Sequence, residues 1–400
     1  MLCEVCLEVA SGPKMDFGFQ PLADDLVKIG DTGESLRFQQ SVILCCNCFT
    51  VLQTHQVPKE VLFSSNYHYR ASLTKDVIQG MSELVTHVLR YKNDVSRRYT
   101  ILDVGCNDGT LLNLFKERID CVTVGVDPTD AILEATSNVN FTYKQFFTLK
   151  SASEIRLKHG FPDVITFTNV FAHIEDFEAL LGALSELIGS ETTLVIENHY
   201  LGSIIESKQF DSFYHEHPRT YSLRSFVVIA DKLGLNINHV AFPSRYGGNI
   251  RVTMSKEPKV FEGLTELLNS ELAIPEKFEQ LQSHYMLWME NSKQAVQELS
   301  SKGKFIGKSL PARAVMLITS LGITEKEMPF VFEKPGSPKI GSYVPGTRIE
   351  IRSDDELKDF NCYPIVLWAW HIGPEITSYL IANNYMGDVF MPMPVFKKVN

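Results

Sequence analysis

The run Leu102-Asp103-Val104-Gly105-Cys106-Asn107-Asp108-Gly109 constrains the fold more than any other stretch of this 400-residue chain. An apolar strand ends there in a glycine-containing turn, and a helical pattern from Thr110 to about Arg118 follows at once. Strand, tight turn and helix in that order begin a βαβ unit, whose strands lie parallel because the helix carries the chain back along the sheet. The alternation continues. Val122 to Val126, Val139 to Lys144 and Val164 to Asn169 read as strands, Asp176 to Ile188 as a helix, and Thr192 to Glu197 as a strand. A helix near Leu223 to Leu233 and strands at Asn236 to Ala241 and Asn249 to Met254 complete the series. The expected fold class is α/β, with a largely parallel, doubly wound central sheet.

Two further regions flank that sheet. Five of the eight cysteines fall in the first 48 residues, as Cys3-x-x-Cys6 and the overlapping set Cys45, Cys46 and Cys48. Two CxxC knuckles, Cys3 with Cys6 and Cys45 with Cys48, supply the four-sulfur tetrahedral shell of a structural zinc site, and Cys46 is left as the bystander. A small sheet is expected between the knuckles, with Ser41 to Leu44 as one strand. Buried free cysteines are the alternative. Helical spacing of Val77, Met81, Leu84, Val85, Val88 and Leu89 marks the start of the central core. At the other end, a long helix from Pro275 to about Ser300 leads to a last α/β-like region containing Phe330 to Phe332, Pro364 to Trp368 and Val389 to Met391.

Composition removes several classes of function. A net charge of −10 and the lack of a basic run with interleaved aromatics argue against a nucleic-acid partner. No apolar run approaches the roughly 18 residues of a membrane span, so no membrane association is expected. Met1-Leu2-Cys3-Glu4 lacks the basic and apolar regions of a secretory signal, which gives a cytoplasmic expectation.

In an open α/β sheet the ligand sits at the carboxyl ends of the strands. Asp103-x-Gly105-x-Asn107-x-Gly109 occupies such an end. Glycine permits close backbone approach there, and Asn tolerates unusual backbone angles. A dinucleotide turn would need GxGxxG, and Asn107 with Thr110 breaks that pattern. The motif instead resembles the first motif of class I S-adenosylmethionine-dependent methyltransferases. Asp127, ending the second strand, can accept both ribose hydroxyls of such a cofactor. Asp103, Gly105, Asn107, Gly109 and Asp127 are the cofactor-binding candidates. The strand ending at Asn169 places His173 at the same rim.

Tyr214-His215-Glu216-His217 gathers four proton-handling side chains in four residues. Metal binding, proton transfer and a solvated loop are all compatible with it. If the segment is extended, Tyr214 and Glu216 share one face while His215 and His217 share the other.

Taken in order, both CxxC pairs, Leu62-Phe63 with Tyr67-His68-Tyr69, the 103–112 turn, Asn169-Val-Phe-Ala-His173, Phe210-Asp-Ser-Phe-Tyr-His-Glu-His217 and Gly247-Gly-Asn-Ile-Arg-Val252 form a series. Lys339-Ile-Gly341, Val344-Pro-Gly-Thr347, Trp370-His371 and Pro392-Met-Pro394 extend it to the C-terminus. The series resembles the zinc-containing sugar C-methyltransferases, which methylate C-3 of nucleotide-linked 4-keto-6-deoxysugars. The resemblance implies a zinc-binding domain at 1–68, an S-adenosylmethionine-binding methyltransferase domain at 69–270, and a C-terminal Rossmann-like domain with its linking helix at 271–400. It implies two cofactors, S-adenosylmethionine and a structural Zn2+. The implied substrate is a nucleotide-linked keto-sugar, with dTDP favoured over GDP as carrier.

By the same resemblance His217 is the base, Tyr214 and Glu216 orient the sugar or assist the enolate, and His173 and Tyr69 complete the active site. Histidine suits the base role because its pKa lies near the operating pH. Two departures stand out: Lys308-Ser-Leu-Pro-Ala-Arg313 replaces a small-residue turn ending Lys-Gly, and Phe49 replaces a glycine after the second knuckle. The other activities open to such a chain are O- or N-methylation of another small metabolite, or an inactive zinc-ribbon interaction role.

Overall fold

A computed structural model describes residues 1–63, 70–73, 75–92, 94 and 96–399. Tyr67, His68 and Tyr69 lie outside the described residues. Among the described residues, three sheets organise the chain.

The first begins with β1 (Lys14–Pro21), β2 (Arg37–Leu44) and β3 (Val51–Gln53), an antiparallel meander. Its β1 and β2 lie between the two cysteine knuckles, and β3 follows the second one. Phe49 adopts φ +56°, the left-handed region that glycine enters freely, and its ring is covered by the Arg224 guanidinium 4.9 Å away.

The central sheet comprises β4 (Tyr99–Val104), β5 (Cys121–Val126), β6 (Phe141–Tyr143), β7 (Val164–Thr168) and β8 (Thr193–His199), all parallel. After the two-residue strand β9 (Arg219–Thr220) come β10 (Asn236–Ala241) and β11 (Asn249–Ser255), both antiparallel to their neighbours. The order β10-β11-β8-β7-β4-β5-β6 puts the first strand in the middle, with the chain reversing direction across the sheet between β4 and β7. That switch point opens a crevice at the carboxyl ends of the strands. β9 does not join this sheet. It pairs with β3, so the segment after Tyr214 closes the first sheet.

Local sequence explains the helices that cover the central sheet. Helix Leu223–Leu233 starts at Ser222, whose hydroxyl accepts from the Ser225 N–H while the Ser225 hydroxyl accepts from Ser222, and it stops at Gly234 in the left-handed conformation. Its Leu223, Phe226, Ile229, Ala230 and Leu233 face the core. Helix Phe177–Leu187 is capped by Asp176. The helix Leu149–His159 has no counterpart in the sequence-based expectation, because it buries only Ser151, Ala152 and Ile155 and leaves no apolar stripe to detect.

The third sheet holds β12 (Ile306–Lys308), β13 (Phe330–Glu333), β14 (Glu350–Ser353), β15 (Ile365–Leu367), β16 (Val389–Met391) and β17 (Lys397–Lys398), in the order β14-β13-β12-β15-β16-β17. It is parallel apart from β17. The 28-residue helix Ile274–Ser301 leads into it and buries Phe278, Leu281, Tyr285 and Trp288 in a core shared with Phe17, Phe210 and Phe213. The first and third sheets thus meet around the segment that begins at Phe210. No helix among the described residues is long and apolar enough to cross a membrane.

Ser222→Ala removes a helix cap together with a bond to the Cys48 carbonyl. It should lower stability by about 1 kcal/mol, up to about 2, read from the midpoint of urea unfolding with the m-value unchanged.

Candidate active site

Three left-handed residues shape the first turn: Gly105 at φ +73°, Asn107 at +50° and Gly109 at +78°. A Cβ on Gly105 would stand 2.4 Å from Val170, so only glycine fits. The Asn107 amide oxygen accepts from the Ala71 N–H at 3.0 Å, and Asp108 accepts from the Ser72 N–H at 2.9 Å, which pins the preceding segment over the turn. Asp127 accepts from the Asn107 N–H at 2.9 Å and from the Thr129 N–H and hydroxyl at 2.8 and 2.6 Å. A carboxylate offers about four acceptor positions, so Asp127 keeps capacity for a ligand hydroxyl. Asp103 lies deeper. Burial raises its carboxyl to about 7, against the Thr166 hydroxyl bond that lowers it. That makes it a brace between β4 and β7 rather than an exposed ligand contact.

The segment at 214–217 is not extended. A bond from the His217 N–H to the Tyr214 carbonyl, 2.9 Å, closes a tight turn. Alternating faces therefore do not apply. The Tyr214 and His217 rings lie together, centroids 4.4 Å apart, while His215 turns away against Phe38 and meets its carbonyl at 3.3 Å. Glu216 approaches His173 Nδ1 at 4.0 Å.

His217 is the most defined of these groups. Its Nδ1 lies 2.8 Å from the Ser212 carbonyl oxygen. A carbonyl has no proton to give, so Nδ1 carries the hydrogen and Nε2 keeps its lone pair. The rings of His173 and His199 pack on it edge-on, at 4.9 and 5.1 Å. Burial pushes His217 down to about 4 and holds His173 and His199 well below the usual histidine range, so all three are neutral near pH 7. Asn169, Asn198, His173, His199, His217 and Arg219 line a small pocket. Tyr214, His215 and Glu216 line a second small pocket with Gln20, Gln40 and Ala312. The four-residue segment therefore divides two cavities.

Sequence reasoning passed over three contributors. Asn198 and His199 end β8, two residues beyond Glu197, where the strand was taken to stop. Arg313 lay in the departing turn, and here it holds the site. Its guanidinium donates to both oxygens of the fully buried Asp211, at 3.1 and 2.7 Å, and to Gln209 at 3.0 Å, while Trp370 Nε1 donates to the same carboxylate at 2.7 Å. Within the rest of that turn, Lys308 bonds Asp354 at 2.8 Å and Glu333 accepts from the Leu310 N–H, so the chain's own groups fill the strand end.

The knuckles bring Cys3, Cys6, Cys45 and Cys48 together, all four sulfurs within 4.8 Å of one another, with Cys3–Cys48 and Cys6–Cys45 at 3.5 Å. A tetrahedral zinc with bonds of about 2.3 Å needs sulfurs about 3.8 Å apart, so the set fits. Cys46 is exposed and outside it.

A parallel sheet with a glycine turn at its switch point and a proton-handling cluster across the crevice meets two family models. Residues 69–240 match a methyltransferase domain, and residues 244–394 match a C-methyltransferase C-terminal domain. The fold and site thus define a methyltransferase, an enzyme. Within that class the chain is similar to a C-methyltransferase, NovU of Streptomyces niveus, at 27% identity over 389 residues, 94% of this chain and 90% of NovU. Among solved structures, magnesium protoporphyrin IX methyltransferase of Synechocystis PCC 6803 matches with a TM-score of 0.33 at 15% identity, over 45% of this chain and 79% of its own. The PH0226 protein of Pyrococcus horikoshii OT3 gives 0.37 at 14%, over 49% and 97%.

The depressed histidines set a pH dependence. His215, His217 and His371 stand at about 4 when folded, burial being the main cause, against an ordinary value of 6.5. Between those limits the unfolded chain binds protons that the folded chain refuses, so stability is full above pH 6.5 and falls as pH drops toward 4. Melting temperatures across pH 4 to 8 should be flat at the top of that range and decline below 6.5; a flat profile throughout would mean that these imidazoles are solvated.

Proposed function

We propose that this chain is an S-adenosylmethionine-dependent C-methyltransferase acting at C-3 of a nucleotide-linked 4-keto-6-deoxysugar. The carrier is dTDP in preference to GDP, and the site of action is the cytoplasm. The observation that carries the reading is the fixed tautomer of His217, whose Nδ1–H is held by the Ser212 carbonyl so that Nε2 keeps its lone pair, beside a cavity at the strand ends. A hydrogen next to a ketone is acidic because the carbanion delocalises onto the carbonyl oxygen, and the Nε2 lone pair can take it; burial holds this imidazole at about 4 and not at the operating pH, so the transfer relies on a donor that stabilises the developing oxyanion.

Gly105, Asn107, Gly109 and Asp127 would hold the cofactor on the first two strand ends, with Asp103 bracing the turn. When bound, it supplies an electrophilic methyl group. His173 packs edge-on against the base, Tyr214 lies against the His217 ring, and Glu216, 4.0 Å from His173 Nδ1, is placed beside them to orient the sugar. Tyr69 is proposed as a further active-site residue from the resemblance alone. The four cysteines bind Zn2+ in a closed sulfur shell, which leaves no open position for substrate and makes the role structural. The proposed division is into units at 1–68, 69–270 and 271–400, with β9 of the middle unit added to the sheet of the first.

His217→Ala should abolish both methyl transfer and solvent-deuterium washout at the α-carbon of dTDP- and GDP-linked 4-keto-deoxysugars, with S-adenosylmethionine affinity by calorimetry nearly unchanged. Methylation without any washout in the unaltered enzyme would point instead to O- or N-methylation. Cys45→Ser should release zinc and lower the melting temperature, and a strong chelator should reproduce that loss in the unaltered chain.

A further inference from the structure

Buried asparagines in this fold show what a structural amide looks like. Asn238 is nearly inaccessible and donates to the carbonyls of Glu257 and Lys259 at 3.3 and 2.6 Å, while its oxygen accepts from the Ser255 hydroxyl at 2.8 Å. Both of its polar atoms are satisfied, as buried amides require. Asn198 is different. It is 1% exposed, and neither its amide nitrogen nor its amide oxygen has a hydrogen-bond partner among the described residues.

Its main chain is ordinary, paired with Ile250 across β8 and β11. The unsatisfied amide belongs to the side chain alone, and Asn198 is one of the residues lining the cavity that His173, His199 and His217 also line. An unpaired donor beside an unpaired acceptor costs a fold stability and gives it nothing in return. Beside a base with a bare Nε2, the same pair is a complement for an acceptor next to a donor.

We propose that Asn198 is the substrate-binding residue that reads the α-hydroxyketone edge of the sugar, with its N–H on the ketone oxygen and its C=O on the neighbouring hydroxyl hydrogen. This rests on the C-methylation reading above and names the group that reading lacks, the donor for the developing oxyanion. In the step concerned, the C–H bond α to the ketone breaks and its proton passes to His217 Nε2. The freed electron pair forms the enolate C=C bond, and the carbonyl π pair moves onto oxygen, where the Asn198 N–H meets it. His217 later returns the proton to solvent. An amide suits this position because it stays neutral and offers both bond polarities at one end. A preorganised donor aimed at an oxyanion changes rates by about 10²- to 10³-fold.

The test uses the full chain with zinc bound. Asn198→Asp keeps the shape but places negative charge at the oxyanion; Asn198→Leu removes both polar atoms. Either should slow α-hydrogen washout from the 4-keto-deoxysugar panel about 100-fold or more, with S-adenosylmethionine affinity within twofold of the unaltered chain. Asn198→Leu should also raise the melting temperature by about 2 °C or more, since the lost groups had no partner to give up. Washout within threefold of the unaltered chain in either variant would overturn the inference, as would a lower melting temperature in Asn198→Leu. Should that variant not fold, the isosteric Asn198→Asp decides the point. An unaltered chain that exchanges no α-hydrogen across the whole panel overturns the C-methylation reading, and this inference with it.

Discussion

The Asp211 carboxylate is fully buried, and the order of the site follows from how it is held. Arg313 grips it through two nitrogens from the start of helix Ala312–Ser320, and Trp370 reaches it from the loop after β15. A bidentate arginine fixes both distance and plane. Removing either member of such a pair leaves an unpaired buried charge, a cost of about 3–5 kcal/mol. The next residue, Ser212, supplies the carbonyl that sets the His217 tautomer. An ion pair with the C-terminal region therefore fixes the position of the proposed base, although neither charge belongs to it.

The opposite side of the same segment is held by the cysteine-bearing sheet. Gln40 donates to the Phe213 carbonyl and Gln53 to the Tyr214 carbonyl, while β3 pairs with β9 directly after the turn. Arg219, also fully buried, links Glu4 beside the first knuckle to the Ile174 and Glu175 carbonyls beside His173. The hydroxyls of Ser222 and Ser225 donate to the Cys48 carbonyl and fasten the second knuckle to the helix that follows. A bound metal at the knuckles would thus steady the turn without touching the chemistry.

Much of the fold was legible from local pattern. Helix Leu223–Leu233 and strand Asn236–Ala241 have the bounds that their apolar spacing implied, since a capped amphipathic helix and a short β-branched strand state their period plainly. The parallel strands of the third sheet were harder. β12 is only three residues, too short for a period, and β14 carries charge at Glu350 and Arg352, which pair with each other. Helix Leu149–His159 escaped for a similar reason. In the site, the cofactor turn was visible because positive φ values demand glycine or asparagine. The turn at 214–217 was not, because four polar residues fit an extended segment equally well until a backbone bond closes them.

The sequence by itself determined the α/β class, the placing of a glycine turn at a strand end, the cysteine knuckles and the concentration of titratable groups at 214–217. These depend on spacing along the chain, which local physics reads directly. Tertiary structure alone decided which groups share a cavity. It brought His173 and His199 onto the His217 ring, turned His215 into the first sheet, drew Arg313 across about a hundred residues to Asp211, and left the Asn198 amide, beside the pocket, without a hydrogen-bond partner among the described residues. Those contacts join residues far apart in sequence, and their energies depend on burial, which no local pattern encodes.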